Sequence, residues 1–409
     1  MNSFDRKNIL IILVAIYLGL GPVTWFAGFG FGMLKRVLLV LIVLLFLPDV
    51  FGKTIKGVGK VIVLFFFLGI SLWVNYSGKN DYTSLIIGLI ENLLFFIIGY
   101  RFIQKGFLTG KVLKIVVSIL AFFCIFTISN AIIGIPDWYT PYFQTLEESL
   151  NRSLYEYDKL WSTGFSWSRA GWGCSICLYL PICIPLIRDI KNRSLGLICS
   201  FLIFVSLLIC GCRSGLVGVV LSMGVILYAL FRNKKAVMIK ALLFIAIVII
   251  ALVFSNSLLE HFRIGTGDVS AGRLEQYEKI PQLISLMPFW GFGDGTLKDW
   301  FEAYIGQQHT LHNTYARSLI EYGWLYGITL LFITLYIIKY YLKAVKARIE
   351  QPLIFSSVLI TGLVAALFEP ALIVGYLGGY CLWWFAFGVF SYYINNQVNH
   401  KINERYGNI

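Results

Sequence analysis

Long apolar stretches recur along most of the chain, and short polar or charged segments separate them. A helix needs roughly 20 apolar residues to cross a bilayer core about 30 Å thick. In lipid every backbone N–H and C=O group needs a partner within the protein, so spanning segments are expected to be helical. The pattern predicts an all-α polytopic membrane protein with about 12 transmembrane helices. The predicted spans lie near residues 8–27, 37–52, 61–76, 84–100, 113–135, 169–187, 194–211, 214–231, 237–255, 315–338, 353–373 and 377–393.

Basic residues concentrate in alternate connections between these spans. Cytoplasmic loops carry an excess of Lys and Arg, so this alternation predicts that both termini are cytoplasmic. The clusters that then fall on the cytoplasmic side are at residues 53–60, 101–114, 188–193, 232–235 and 339–348. Lys35 and Arg36 are the exceptions, because they lie near a connection predicted to be external.

Two long connections, residues 136–168 and 256–312, are both predicted to be external loops of a single integral membrane domain spanning residues 1–409. Both are rich in Trp and Tyr. These aromatic residues fit either a belt at the membrane interface or stacking platforms for sugar rings. The second loop contains a segment of helical period, residues 271–287, which is expected to form a short helix that could lie on the membrane as a lid. Pro288 and the glycines after it end the segment.

Composition agrees with a membrane protein, since 58% of the 409 residues are hydrophobic and 13% are charged. Soluble domains carry about a quarter charged residues. The net charge of +13 is explained by cytoplasmic loops, and no basic soluble domain exists that would bind nucleic acid. The first apolar segment lacks a small-residue cleavage site after it, so we expect a retained helix rather than a signal peptide.

All eight cysteines lie in or at the ends of apolar stretches. Cys174 and Cys177 form a C-x-x-C motif, but the sequence shows no second pair that would face it. We therefore interpret the cysteines as small packing residues and expect no metal site.

His312 is the first candidate for chemistry, since it lies at the start of an apolar segment and is followed by Asn313. A neutral imidazole can act as a general base on a sugar hydroxyl near pH 7. The alternative is an interfacial histidine with its polar tip in water. Gly323 and Gly327 are four residues apart, and we expect them to share one helical face and to let a neighbouring helix approach.

Arginines at predicted outer helix ends are the second kind of candidate. Arg213 lies between two apolar runs, where a charge is costly and usually has a partner or a task. Its guanidinium could bind a lipid-linked phosphate through paired hydrogen bonds, or it could extend to the lipid headgroups. Arg273 could bind the same anion or form a surface ion pair, and Arg169 is a further candidate. The glycine-rich residues 291–295 are interpreted as a turn, because no strand and helix flank them as in a phosphate-binding loop.

The arrangement His312-Asn313-x9-Gly323-x2-Tyr326 resembles the H-[NSQ]-x9-G-x-x-[GTY] signature of the O-antigen ligase and O-antigen polymerase superfamily. "CRSG" at residues 212–215 is similar to the arginine at the outer end of a helix before the family's large loop. Residues 271–295 resemble the loop's Arg…P-x-x-G-x-G stretch. The resemblance covers roughly residues 160–393.

The resemblance implies transfer of a glycan from undecaprenyl diphosphate to an acceptor sugar hydroxyl at the periplasmic face of the bacterial inner membrane, without a metal or other cofactor. His312 would be the general base, and Arg213 and Arg273 would hold the donor diphosphate. Direct displacement would invert the anomeric centre. Arg169 and Asn313 are further substrate-binding candidates.

The resemblance leaves the polymerase and ligase activities open. The sizeable first loop, residues 136–168, favours a polymerase, which joins two lipid-linked glycans and could work with a chain-length regulator. A ligase, which transfers finished polymer to lipid A–core, and a Gram-positive capsule polymerase remain alternatives. Membrane lipids are expected partners in each case. A transporter would instead need ionisable residues within several spans, for which Glu91 and Glu369 are candidates.

Overall fold

The structure is a computed structural model of the chain. It describes residues 3–23, 25–26, 29–30, 32–50, 58–74, 82–133, 165–166, 169–231, 273–293, 296–305, 311–369 and 380–398. The described chain is helical apart from a short antiparallel pair of strands, β1 Trp25–Phe26 and β2 Phe29–Gly30.

Five long helices form the N-terminal part of the described chain. They are α1 Ser3–Gly19, α2 Gly32–Val50, α3 Val58–Val74, α4 Tyr82–Gln104 and α5 Gly110–Ile133. Helix α1 packs against both α2 and α5, and α3 packs against α4. The predicted span 237–255, most of the first loop and residues 256–272 of the second loop lie outside the described residues.

The remaining helices carry the candidate residues. They are α6 Arg169–Ile176, α7 Leu180–Arg188, α8 Arg193–Ile209, α9 Arg213–Phe231, α10 Arg273–Leu286, α11 Leu297–Ile305, α12 Thr314–Ala347, α13 Glu350–Ala366 and α14 Cys381–Tyr393. A 3₁₀ turn, Cys177–Tyr179, joins α6 to α7, and a π-helical turn, Ile394–Val398, follows α14. Helix α14 packs on α4, α13 packs on α9, and α10 and α11 both contact α12.

By length and composition, four helices of the described chain could cross a membrane, namely Ile86–Gln104, Gly110–Ile133, Ala170–Arg188 and Thr314–Ala347. Shorter apolar helices lie at Val61–Val74, Arg193–Ile209, Arg213–Ala229 and Glu350–Ala366. A helical, multi-pass membrane protein is therefore confirmed, whereas the count of twelve spans stays a prediction.

Helix α12 shows why this chain needs lipid around it. One of its faces is buried against the other helices, while apolar residues on another face are exposed at intervals of three or four positions. The exposed residues are Trp324, Ile328, Leu331, Leu335, Ile338 and Leu342. A stripe of this kind would be unfavourable in water but is expected on a helix that faces acyl chains.

A buried polar cluster explains one of the two basic residues that disagreed with the charge pattern. Lys35 is 1% exposed, and its Nζ donates a hydrogen bond to the carbonyl oxygen of Gly21 at 2.9 Å. It also interacts electrostatically with Glu91, which is 2% exposed and accepts a hydrogen bond from the hydroxyl of Tyr17. Lys35 is thus part of the contact between α1, α2 and α4 rather than a loop charge.

Replacing either charge of this cluster should destabilise the protein. We expect Lys35→Met or Glu91→Gln to lower the free energy of unfolding by about 3 kcal/mol, because each leaves the opposite charge buried without compensation. The double variant should recover part of the loss. Thermal unfolding of the purified protein in detergent would measure this, with the exposed neighbour Arg36→Met as the matched control. Equal stability of the Lys35 and Arg36 variants would contradict the expectation.

Candidate active site

Asn313 fixes the position of His312 at the start of α12. Asn313 has extended backbone, and its side-chain oxygen accepts a hydrogen bond from the N–H of Ala316 at 2.9 Å. This is an N-cap, which satisfies one of the N–H groups that the first turn of a helix leaves without a partner. Asn313 therefore has a structural task, and His312 is the last residue before the cap.

Two other elements hold the backbone of His312. Its N–H donates to Oε1 of Gln276 at 3.4 Å. The hydroxyl of Tyr277 lies 3.1 Å from the carbonyl oxygen of His312 and 2.9 Å from that of Leu367. Helix α10 thus connects the start of α12 to the segment that follows α13.

The imidazole of His312 faces the carboxylate of Glu369. Nδ1 lies 3.6 Å from Oε2 of Glu369, and the two side chains are 35% and 9% exposed. This separation is within the range of an ion pair but longer than a hydrogen bond. A negative charge beside Nδ1 favours a proton on that nitrogen, which leaves Nε2 as the proton acceptor. The arrangement can therefore provide a partly accessible base.

Glu369 is itself held against α12. Its N–H donates to the carbonyl oxygen of Ala365 at 3.0 Å, and its own carbonyl oxygen accepts a hydrogen bond from Oγ1 of Thr314 at 2.6 Å. From the sequence pattern, Glu369 was a candidate only for transport. An acidic residue before Pro370 in an apolar stretch was the available signal, but its proximity to His312 arises from the tertiary fold.

The helices that begin with the candidate arginines converge on the same region. Arg213 is the first residue of α9 and is half-buried. Sγ of the preceding Cys212 lies 3.8 Å from the carbonyl oxygen of Ala170, so the start of α9 meets the start of α6, where Arg169 lies. Cys212 also interacts electrostatically with Glu369. The start of α9, with Arg213, therefore lies beside the start of α6 and within electrostatic reach of the glutamate that faces His312.

Arg273 is placed by backbone position. It is the first residue of α10 and lies one helical turn before Tyr277, on the same face of the helix. The Tyr277 hydroxyl contacts the backbone of His312. Arg273 therefore lies one helical turn away from a residue that touches His312.

Gly323 breaks α12 eleven residues after His312. Its φ of 82° and ψ of −176° are not helical, so the expected helical face shared by Gly323 and Gly327 is wrong. Backbone hydrogen bonds from another segment replace those of the helix at this point. Phe292 N–H donates to Ile320 O, Gly293 N–H to Glu321 O, and Trp324 N–H to Phe289 O, each at 2.9 Å. Residues 289–293 are therefore docked on the break through backbone hydrogen bonds, beside the turn predicted at the glycine-rich stretch.

A sequence profile described as O-antigen ligase matches residues 198–332. This part of the chain is therefore similar to proteins of the O-antigen ligase and polymerase type. The match covers about a third of the chain and includes Arg213, Arg273, His312 and the Gly323 break, which confirms the resemblance drawn from the motifs. No curated protein matches the chain at a significant level. The family indicates a glycosyltransferase-like membrane enzyme of the O-antigen ligase or polymerase type that acts on lipid-linked glycans.

Within the matched region, the loop before His312 has a small core of its own. Its members come from α10, α11, α12 and the residues next to these helices, and they are Leu283, Met287, Leu297, Phe301, Leu311 and Ile320. Leu311, which is fully buried there, directly precedes His312. The family's loop motif and its histidine motif are thus parts of one packed unit, which spacing along the chain does not show.

The structure adds a contact that the sequence did not indicate. A third cysteine lies against the C-x-x-C of Cys174 and Cys177, because Sγ of Cys212 lies 3.3 Å from Sγ of Cys174. Among the described residues, no group of three or more His, Cys, Asp or Glu side chains is arranged to hold a metal ion.

Proposed function

We propose that the protein polymerises undecaprenyl-diphosphate-linked oligosaccharide repeat units into O-antigen or a related surface polysaccharide. The reaction would take place at the periplasmic face of the bacterial inner membrane, with both termini in the cytoplasm. The observation that carries the proposal is the pairing of His312, which lies in the region that matches the family, with Glu369, which lies beyond that region. The two substrates are a lipid-linked glycan donor and a glycan acceptor.

In the proposed reaction, Nε2 of His312 takes the proton of the acceptor hydroxyl. The acceptor oxygen attacks the anomeric carbon of the donor sugar while the bond from that carbon to the diphosphate oxygen breaks. The electron pair leaves with the undecaprenyl diphosphate, and the anomeric centre is inverted. Arg213 and Arg273, with Arg169 as a further candidate, stabilise the negative charge on the diphosphate. No cofactor takes part in this scheme.

Glu369 acts as a positioning residue in this proposal. Its carboxylate, 3.6 Å from Nδ1, orients the ring and stabilises the imidazolium that forms when Nε2 accepts a proton. Apo catalytic contacts are often longer than those in the reacting complex. Asn313 contributes by capping α12, which keeps His312 at the end of the helix.

Replacing Glu369 with glutamine tests this role. A lost interaction with a charged group is worth about 1.5–3 kcal/mol, so we expect kcat to fall roughly 10- to 100-fold. KM for the lipid-linked donor should change little, since Glu369 does not contact the diphosphate in this scheme. Initial rates in proteoliposomes would measure both, with Glu278→Gln, an exposed acid on α10, as the matched control. An unchanged kcat in a folded Glu369→Gln protein would refute the positioning role.

The ligase activity is the second candidate, and the description of the matching family favours it. The predicted external loop 136–168 favours the polymerase, with a chain-length regulator as a further proposed partner. A transporter is less well supported, because Glu91 is engaged by Tyr17 and Lys35 in a packed contact and Glu369 faces His312.

The polysaccharide pattern of a deletion strain distinguishes the two activities. Lipopolysaccharide or capsule from the strain, with and without the plasmid-borne gene, would be separated on a gel. A core that carries a single repeat unit, restored to a ladder by the wild-type gene, would establish the polymerase. Bare core with accumulated lipid-linked polymer would establish the ligase. An unchanged ladder in the deletion strain would contradict both.

A further inference from the structure

Cys174 and Cys212 form a close thiol pair that the proposed reaction does not use. Their sulfur atoms are 3.3 Å apart, and the side chains are 1% and 4% exposed. The two residues are 38 positions apart, one in α6 and the other in the turn before α9. Gly173 makes the approach possible, since a Cβ at that position would lie 2.2 Å from Cβ of Cys212.

Ser214 provides a polar surface for both sulfur atoms. Its Oγ lies 3.5 Å from Sγ of Cys174 and 3.4 Å from Sγ of Cys212. Cys212 also directly precedes the first turn of α9, whose N–H groups favour a thiolate at this end of the helix. The pair therefore has the proximity that a disulfide requires, with a polar hydroxyl and a helix start beside it.

The two neighbouring cysteines are oriented differently. The thiol of Cys177 donates to the carbonyl oxygen of Cys174 at 3.1 Å, and the thiol of Cys210 donates to that of Leu207 at 3.1 Å. These side chains are directed at backbone acceptors of their own helices. The geometry thus selects Cys174 and Cys212 from the four cysteines at this place.

We propose that Cys174 and Cys212 are an oxidation site that closes to a disulfide between α6 and α9. The sulfur atoms would move from 3.3 Å to the bonding distance of about 2.05 Å. In the proposed orientation this end of the helices faces the oxidising side of the membrane, where such bonds persist.

The oxidant would be a small disulfide of the glutathione type. The thiolate of Cys212 attacks one sulfur of that molecule, which forms a mixed disulfide and releases one equivalent of the small thiol. The thiolate of Cys174 then attacks Sγ of Cys212 and releases the second equivalent. The two protons lost by the cysteines are taken up by the two released thiols. Two electrons pass from the protein to the oxidant.

The bond would connect the two helix starts that carry Arg169 and Arg213. Both thiols also interact electrostatically with Glu369, so their oxidation would change the surroundings of the carboxylate that faces His312. The disulfide itself does not depend on the proposed glycosyl transfer and can be tested without it.

Thiol counting on the full-length protein in membranes tests the proposal. The protein would be treated with oxidised glutathione or copper phenanthroline, denatured in the presence of N-ethylmaleimide, and analysed by intact mass and by peptide mapping. We expect two of the eight cysteines to escape alkylation and a linked peptide that contains Cys174 and Cys212. Dithiothreitol before denaturation should restore all eight alkylated sites.

Single replacements provide the controls. After treatment with oxidised glutathione, Cys212→Ser should leave all seven remaining cysteines open to alkylation. Cys174→Ser should give no linked peptide and should carry only a mixed disulfide with glutathione on Cys212, which Cys174 can no longer resolve. Cys183→Ser, in α7, should still have two cysteines that escape alkylation after oxidation, namely Cys174 and Cys212. Alkylation of all eight cysteines in the oxidised wild-type protein, or a linked peptide between other cysteines, would overturn the proposal. Peptide mapping of the wild type decides this even where a variant fails to fold.

Discussion

Replacing His312 with alanine is expected to lower glycan transfer by about 10²- to 10⁴-fold, the usual contribution of a general base. The loss should appear in kcat, because the imidazole acts on the acceptor proton rather than on the donor diphosphate. Stability should change little. The side chain is about a third exposed, and the contacts of this residue with Gln276 and Tyr277 are made by its backbone.

The measurement is the initial rate of transfer between lipid-linked glycans in proteoliposomes, together with the polysaccharide ladder in complemented cells. His309→Ala is the matched control, since it removes the other histidine of the same "HTLH" sequence and should retain wild-type activity. A full ladder from His312→Ala at normal expression would refute the assignment of the base. Loss of activity in both histidine variants would point to the loop as a whole rather than to one imidazole.

Replacing Gly323 with alanine should have the second large effect. A φ of 82° with a ψ of −176° belongs to a region that is essentially restricted to glycine. In addition, a Cβ at this position would lie 2.3 Å from the carbonyl carbon of Trp290 and 2.4 Å from the carbonyl oxygen of Phe289. We expect the free energy of unfolding to fall by about 3 kcal/mol, because the 288–293 segment would separate from α12.

Undocking is directly measurable by hydrogen exchange. The amides of Phe292 and Gly293, which donate to carbonyl groups of α12, should exchange much faster in the Gly323→Ala protein, and transfer activity should fall with them. Gly224→Ala is the matched control, because among the described residues no atom lies within 4 Å of a Cβ at that helical position. Unchanged protection at both amides would show that the break does not hold the loop.

The sequence motif around His312 was enough to predict the family resemblance. Periodicity predicted the helices, and the spacing from His312 to Gly323 and Tyr326 indicated the superfamily that the profile then matched. Such features are local, since a hydrophobic period or a motif is complete within one segment of the chain. The same reasoning failed where a local rule was overridden. A pair of glycines four residues apart fits a helical face, but Gly323 instead accommodates a segment more than thirty residues away in sequence.

The tertiary structure decided which residues belong to the site. Glu369 lies 57 positions after His312 and is the acid that faces it, whereas Glu91, the other acid in an apolar segment, contacts Tyr17. Cys212 similarly faces Cys174 from another helix. The amino-acid sequence alone determined that this protein is a helical membrane protein with one histidine motif and several candidate arginines at helix starts. Only the tertiary fold determined which side chains face His312 and Cys212. These contacts join segments that are far apart in the sequence, and no local pattern relates such segments.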